Sequence, residues 1–151
     1  MNTPVNLEIA KLLFNKKYSK PTEANWWILT KDHSDNYMNG LPVDESKIFF
    51  AKDSYELESK IYIDENTEHN VFHYLVAPTI AEVVMWLYEN HGIWICVDKA
   101  EDFNWWKFSI RKLNDIGYER IGFGSDYNSP TEAYEGAITY TLENIIKGGN
   151  K

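Results

Sequence analysis

The chain has 151 residues, a hydrophobic content of 44% and a formal charge of -8 at pH 7, with a sequence pI near 5.0. A chain of this length buries roughly two thirds of the surface that its unfolded form exposes, so we expect one domain over residues 1–151, with a subdivision near residues 66–72 as the alternative. The scattered acidic residues repel phosphate backbones and anionic lipids, so we expect neither direct nucleic-acid binding nor membrane binding.

The amino-terminal half is predicted to begin with a helix and to continue into strands. Thr3-Pro4 followed by LEIAKLLF favours a helix start, since proline is tolerated in the first turn, and this helix should end before Pro21. The bulky WWILTK stretch favours a strand that is apolar on both faces, so we expect Trp26 and Trp27 to be buried. A loop or hairpin is predicted at 33–45, and further strands at 47–52, 59–65 and 71–76.

A central helix is predicted to follow Pro78. Thr79 and Glu82 have the spacing of a capping box, in which each side chain accepts a hydrogen bond from the backbone amide of the other residue. Gly92 ends the pattern, as glycine often does one residue after a helix. The apolar face of this helix is predicted to consist of Ile80, Val83, Val84 and Leu87.

Three strands and a last helix are predicted after Gly92. The strands are expected at 93–98, 103–112 and 118–124, and Ser129-Pro130-Thr131-Glu132 is a second capping box that opens the carboxy-terminal helix. This helix is expected to end at 148–149 and to bury Tyr134, Ala137, Ile138, Thr141 and Ile145. The sequence therefore predicts an α+β fold with an antiparallel sheet and three main helices, the second half in α-β-β-β-α order.

The paired tryptophans of FNWWKF suggest a binding surface. Neighbouring side chains of a strand point to opposite faces, so Trp106 continues the apolar row of Phe108 and Ile110, and Trp105 lies on the other face. Trp105 is expected either to be covered by a loop or helix, or to belong to an exposed aromatic patch that binds a partner protein. The candidate residues of this partner-binding patch are Phe103, Trp105 and Tyr127.

No catalytic, metal or cofactor site is assigned from the sequence. His69 and His73 fall in a strand-like stretch, where residues four apart are about 13 Å apart and do not share one metal ion. His91 is expected to place a cationic ring at the end of the central helix. Cys96 is expected to be buried and inert, and this single cysteine, together with the lack of a readable secretion signal, predicts a cytoplasmic location.

Two glycines precede the last helix, and glycines in this position are typical of phosphate-binding loops. The stretch Gly122-Phe123-Gly124-Ser125 matches no such motif and is flanked by acidic residues, so a turn is predicted there. The α-β-β-β-α order is similar to that of double-stranded-RNA-binding domains. The last helix begins, however, with SPTEAYE, which has two glutamates and no basic residue to hold phosphate.

Three stretches of the chain resemble a known group of proteins. They are LEIAKLLFNKKYSKPTEANWW at 7–27, VAPTIAEVVMWLYENHGIWICV at 76–97 and SPTEAYEGAITYTLENII at 129–146. Together they resemble small, acidic, uncharacterised proteins of Bacteroides-type bacteria and their prophages and other mobile elements. The resemblance implies a cytoplasmic location and a phage or mobile-element origin, and it carries over no site residues.

Three hypotheses for function stay open. The leading one is a non-enzymatic protein-protein interaction module whose partner is a host protein or a second copy of the chain, as in a homodimer. The second is an acidic decoy that imitates nucleic acid and inhibits a host enzyme that handles DNA or RNA. The third is an enzyme whose site is assembled from distant loops.

Overall fold

A computed structural model describes the backbone of residues 3–18, 26–30, 48–51 and 72–146, and the side chains of 3–18 and 77–146. The helices are α1 (Leu7–Asn15), α2 (Ile80–His91) and α3 (Pro130–Tyr140), the last continuing into a π-helical turn, Thr141–Ile145. The strands are β1 (Trp26–Thr30), β2 (Ile48–Ala51), β3 (Phe72–Val76), β4 (Ile93–Lys99), β5 (Trp106–Asn114) and β6 (Gly117–Tyr127). The predicted α+β class and the α-β-β-β-α order of the second half are confirmed.

The strands form two antiparallel sheets. One has the order β2-β1-β3, and the other is a meander of order β4-β5-β6. His73 lies in β3 opposite Leu29, which confirms the strand predicted around it. The predicted loop at 33–45, the strand at 59–65, His69, the helix end at 148–149 and the burial of Trp26 and Trp27 lie outside the described residues and side chains.

Helix α1 begins later than the sequence predicted. Its N-cap is Asn6, whose Oδ1 accepts a hydrogen bond from the backbone N–H of Ile9 at 2.9 Å. The prediction of a helix start at Thr3-Pro4 is wrong, because Pro4 instead forms a β-bridge with Thr79 just before α2. The amino terminus is thus anchored to the start of α2 by backbone hydrogen bonds from Val5 to Pro78 and from Ile80 to Thr3.

Helix α2 has both of its predicted boundaries. The Thr79 hydroxyl accepts from the Glu82 N–H at 3.2 Å, and the Glu82 carboxylate accepts from the Thr79 N–H at 2.8 Å, which completes the capping box. Gly92 ends the helix in the left-handed conformation, with φ of 63° and its N–H directed to the carbonyls of Leu87 and Tyr88. The turn into β4 depends on this conformation.

Replacing Gly92 by alanine is expected to lower the free energy of unfolding by about 1–2 kcal/mol, because a Cβ is disfavoured at positive φ. Asparagine tolerates the left-handed region better than alanine, so Gly92→Asn is the matched control and should lose less. Urea unfolding followed by circular dichroism measures both changes. Equal losses for the two variants would contradict the role given to the backbone conformation.

The core lies between the three described helices and one face of the β4-β5-β6 sheet. The predicted inward row of β5 is confirmed at Phe108 and Ile110, which are buried, whereas Trp106 at the start of the strand is half-buried. The three described helices, the π turn, β4 and β5 contribute fully buried aliphatic side chains; the largest are Ile9, Leu13, Ile80, Leu87, Ile93, Ile110, Ile138 and Leu142. The described helices therefore cover one face of this sheet.

Helix α3 begins with one of the two hydrogen bonds of the predicted capping box. The Ser129 hydroxyl accepts from the Glu132 N–H at 3.1 Å, as in the motif. The Glu132 carboxylate, however, accepts from the N–H of Asn128 at 3.0 Å, one residue before the cap. The helix starts where the sequence predicted it, with Pro130 in its first turn.

The end of α3 widens into a π-helical turn. Thr141 is fully buried, and its hydroxyl donates to the Ala137 carbonyl at 2.7 Å. The Ile146 N–H donates to the Thr141 carbonyl at 2.9 Å, which is the five-residue spacing of a π turn. Burial of Ala137, Ile138 and Thr141 is confirmed; Tyr134 and Ile145 are only half-buried.

Candidate functional site

The β4-β5-β6 sheet has a second face, turned away from the helices, that carries large polar and aromatic side chains. Strand alternation and the register place them together: Trp94 is opposite Arg111, Ser109 is opposite Phe123, and Arg111 is opposite Arg120. We call this surface the outer face; it consists of Trp94, Cys96, Asp98, Lys107, Ser109, Arg111, Tyr118, Arg120 and Phe123. Its rings are open to solvent, with exposed fractions of 72% for Phe123, 59% for Tyr118 and 37% for Trp94.

Two arginines lie side by side on the outer face. The guanidinium of Arg111 lies 4.5 Å from the ring centroid of Tyr118, and that of Arg120 lies 5.5 Å from the ring centroid of Phe123. Both distances are those of cation–π contacts. Within the described residues, no carboxylate forms an ion pair with either guanidinium. The half-buried Arg111 and the exposed Arg120 are thus adjacent cations that each lie against an aromatic ring.

Further exposed apolar side chains continue the outer face at its margins. Trp94 packs edge-on against Tyr88 of α2, with ring centroids 5.5 Å apart. At the turn between β5 and β6, Ile116 is almost fully exposed, and Leu113 precedes it with a partly exposed side chain. Exposed large apolar groups that are grouped in this way mark contact surfaces.

The structure brings two of the three predicted patch residues together. The rings of Phe103 and Trp105 stack at 5.6 Å with an interplanar angle of 19°; Phe103 is exposed and Trp105 half-buried. The predicted strand start at 103 is wrong, because residues 100–105 form the connection from β4. The Ala100 N–H closes this connection by donating to the Trp105 carbonyl at 3.0 Å. The pair therefore lies in a hairpin loop, at the end of the sheet opposite Ile116.

Tyr127, the third predicted patch residue, lies at the end of β6 and packs toward α3. Its ring centroid is 5.7 Å from that of Phe108, and its hydroxyl lies against Gly136 of α3. The preceding residue, Asp126, has a φ of 71° at an irregularity in the pairing of β6 with β5. Tyr127 is half-buried on the core side of the sheet. A role for it in partner binding stays a prediction.

Cys96 and His91 differ from their expected environments. Cys96 is half-buried on the outer face, because the inward row of β4 consists of Ile93, Ile95 and Val97. His91 packs edge-on to Trp86 at 4.9 Å. Burial, and secondarily the nearby charge of Lys112, lower its pKa.

The expected cationic cap at the end of α2 is supplied by a different residue. The Lys112 ammonium donates a hydrogen bond to the carbonyl oxygen of His91. This places a positive charge at the negative end of the helix, where it is stabilising. The lowered pKa of His91 disfavours a cationic ring at this helix end.

A shallow cleft of about 300 Å³ runs along β6 beside the end of α3. Its lining residues are Arg120, Ile121, Gly122, Phe123 and Tyr140. The turn predicted at Gly122-Phe123-Gly124-Ser125 is wrong, because these residues continue β6 as extended strand. Among the described residues, the lining combines one guanidinium with two aromatic rings, which gives the cleft a cationic and aromatic character.

Tyr18 carries the largest pKa change among the described residues. Its ring packs on Trp86 at 5.1 Å, and its buried hydroxyl has no hydrogen-bond partner in the described part of the chain. Burial first, and the Glu82 carboxylate second, raise the pKa of Tyr18 to about 12. Burial also raises the pKa of Tyr134, with smaller effects of Cys96 and Asp98. Both phenols stay protonated at neutral pH.

The shift at Tyr18 predicts an alkaline loss of stability. A phenol titrates near pH 10 in the unfolded chain and near pH 12 at Tyr18 in the fold, so its contribution is fully present below pH 10 and disappears as the pH rises toward 12. We expect Tyr18→Phe to be as stable as the parent at neutral pH, or more so, and to lose less stability over this range. Urea unfolding across the range measures the difference. Parallel pH profiles for the two proteins would refute the assignment.

Comparison of the chain with protein-family models, curated proteins and solved structures found no match. Among the described residues, no group of three or more His, Cys, Asp or Glu side chains is arranged to hold a metal ion. The helices that the structure describes are too short or too polar to cross a membrane. The outer face, the Phe103–Trp105 pair and the cleft are thus the features from which a function is inferred.

Proposed function

We propose that the chain is a protein-protein interaction module that binds its partner through the outer face. The observation that carries the proposal is the grouping of exposed Trp94, Tyr118 and Phe123 with Arg111 and Arg120 on one face of the sheet. Tryptophan, tyrosine and arginine are the residue types that most often contribute large binding energies at protein interfaces. Rigid strands hold them, so little side-chain ordering is needed on binding.

The outer face alone is too small to form a stable interface, so the partner must also contact neighbouring surface. Seven strand residues span about 23 Å, and three strands span about 10 Å from first to last. This footprint is smaller than the roughly 800 Å² that each protein contributes to a stable interface. The stacked Phe103–Trp105 pair lies at one end of the sheet and Ile116 at the other, and both extend the apolar surface. The predicted aromatic patch thus becomes the margin of a larger surface.

The other hypotheses receive less support from this surface. A decoy that imitates nucleic acid needs rows of carboxylates, whereas the outer face carries three basic side chains, Lys107, Arg111 and Arg120, and one acidic side chain, Asp98. For the enzyme hypothesis, the described residues contain no group of three or more His, Cys, Asp or Glu side chains arranged to hold a metal ion. Both stay predictions, as do the cytoplasmic location and the phage or mobile-element origin.

Affinity capture with matched variants tests the proposal. The tagged protein is incubated in a lysate of its native host, and the retained proteins are compared with those of the double variant Trp94→Ser/Phe123→Ser. We expect the double variant to retain about tenfold less of a specific partner, because two exposed anchors of the surface are removed. Circular dichroism verifies that the variant is folded.

The control for this experiment is Phe14→Ser, which removes an exposed ring of α1 that lies outside the outer face. It should retain the partner as the parent does. Equal retention by the parent and the double variant, or equal losses for the double variant and the control, would overturn the proposal. So would the retention of no specific partner by the parent.

A further inference from the structure

The cleft beside β6 straddles the edge of the sheet. Arg120 and Phe123 point to the outer face, whereas Gly122 is opposite Ile110 on the core face, beneath the ring of Tyr140. Arg120, Gly122, Phe123 and Tyr140 line the same cleft. A cavity bounded by residues of both faces of one strand has to wrap around the edge of that strand. The cleft is therefore an edge groove, with α3 forming its inner wall.

The edge at this groove is the side of β6 that has no neighbouring strand in the described sheet. In the described sheet, β6 is the last strand and pairs only with β5. An edge strand presents alternating N–H and C=O groups that a further strand can pair with. The irregularities in its pairing leave Gly122, Phe123 and Gly124 as a regular stretch between them. This stretch is next to the groove.

The charges beside the groove select the kind of segment that binds there. Arg111 and Arg120 are register partners, and like charges directly opposite each other destabilise a sheet unless a counter-charge is present. No carboxylate in the described part of the chain supplies one. A carboxylate of a bound segment would be held by two guanidiniums, which bind carboxylates through paired hydrogen bonds.

We propose that the β6 edge binds an extended, acidic segment of a partner protein as an added strand. This inference rests on the proposed function and specifies its partner. Main-chain hydrogen bonds to the edge of β6 hold the segment, an apolar side chain enters the groove beside Tyr140, and an acidic side chain contacts Arg111 and Arg120. Strand addition of this kind obtains affinity from the backbone and specificity from alternate side chains.

Two other occupants fit the edge less well. A second copy of the chain presents the same two arginines at its own edge, so it adds repulsion instead of a counter-charge. A nucleic-acid backbone offers phosphate acceptors but no regular series of donors, and it leaves the carbonyl groups of β6 unpaired. The net charge of -8 also opposes a polyanion more strongly than a short acidic peptide.

Selection from a displayed library of random decapeptides tests the inference. We expect the selected peptides to share acidic residues alternating with apolar ones. Arg120→Glu should weaken the binding of a selected peptide by at least about tenfold, because it replaces an attractive charge by a repulsive one, and Arg120→Lys should weaken it less. Lys99→Glu on the opposite edge strand makes the same change in net charge and should have little effect.

Backbone pairing is tested separately with the selected peptide. Amide hydrogen exchange of residues 117–127 should slow on binding, and methylation of alternate peptide nitrogens should abolish binding, since it removes donors to the strand edge. Selection of no peptide, of peptides without acidic residues, or of peptides that bind Arg120→Glu equally well would overturn the inference. So would preferential binding of a single-stranded oligonucleotide.

Failure of this inference is distinguishable from failure of the proposed function. If the outer face binds a folded partner without strand addition, affinity capture still depends on Trp94 and Phe123, whereas peptide selection and amide exchange give no signal. If the proposed function itself fails, capture does not depend on these two side chains.

Discussion

Replacing Gly124 by alanine is expected to lower the free energy of unfolding by about 2–3 kcal/mol. A Cβ at this position would lie 2.4 Å and 2.7 Å from two ring atoms of Phe108, which is far inside normal contact distances. The Phe108 ring is buried at the centre of the sheet, so it cannot swing into solvent to make room. Overpacking of this kind forces off-rotamer side chains and backbone shifts. Urea unfolding followed by tryptophan fluorescence measures the loss.

The control and the compensating change use the same two strands. Ser125→Ala removes an exposed hydroxyl from the neighbouring position and should change stability by less than about 0.5 kcal/mol. In the Phe108→Leu background, Gly124→Ala should cost less than in the parent, because the smaller side chain leaves space for the Cβ. Additive losses would mean that the contact between Gly124 and the ring does not limit packing.

Replacing Leu142 by alanine is expected to cost about 2–5 kcal/mol, the range observed when a fully buried leucine leaves a cavity. Leu142 lies in the π turn after α3 and has no exposed surface. It belongs to the core cluster that joins the helices to the sheet. Thermal and urea unfolding should both show the loss, and a change below about 1 kcal/mol would contradict the described packing.

The matched comparison is between Ile145 and Ile146. A continuous α-helix would bury Ile145, as the sequence predicted, but the π turn moves the buried position one residue along, to Ile146, which is 8% exposed. We therefore expect Ile146→Ala to destabilise the protein more than Ile145→Ala. The reverse order would show that the chain follows an uninterrupted α-helix here.

Local signals made the helices after residue 78 predictable. The Thr79–Glu82 capping box and Gly92 each act within a few residues, so the sequence contains all the information that their hydrogen bonds need. The start of α1 was missed for the opposite reason. Pro4 is held by a bridge to Thr79, a contact that is distant in sequence, and the cap passes to Asn6.

The outer face was not predicted because the pairing of β5 and β6 is irregular. In YERIGFG, Tyr118 and Arg120 alternate as a regular strand does, but an extra residue, Ile121, then shifts Phe123 onto the same face. A bulge interrupts the alternation of side chains between the two faces of a strand. The outward row of β6 therefore cannot be recognised by counting every second residue. In β5, by contrast, simple alternation from Trp105 predicts the outward positions of Lys107, Ser109 and Arg111, and the register confirms that these three share one face.

The predicted patch was limited by an error in strand length. Phe103 and Trp105 were assigned to a strand, whereas they stack in the loop before it. Tyr127 was named with them as a candidate, but the strand that carries it turns the ring toward α3. The register between strands decides which aromatic side chains meet. This register cannot be read from the sequence of one strand.

Hydroxyl-radical footprinting with and without host lysate tests the outer face as the docking surface most directly, because it reports on individual side chains whatever the identity of the partner. In buffer, we expect strong labelling of Tyr118 and Phe123 and weaker labelling of the partly exposed Trp94. In lysate, all three should be protected, while Phe14 on α1 keeps its labelling. Unchanged labelling of the outer face in lysate, or protection confined to Phe14, would contradict the account.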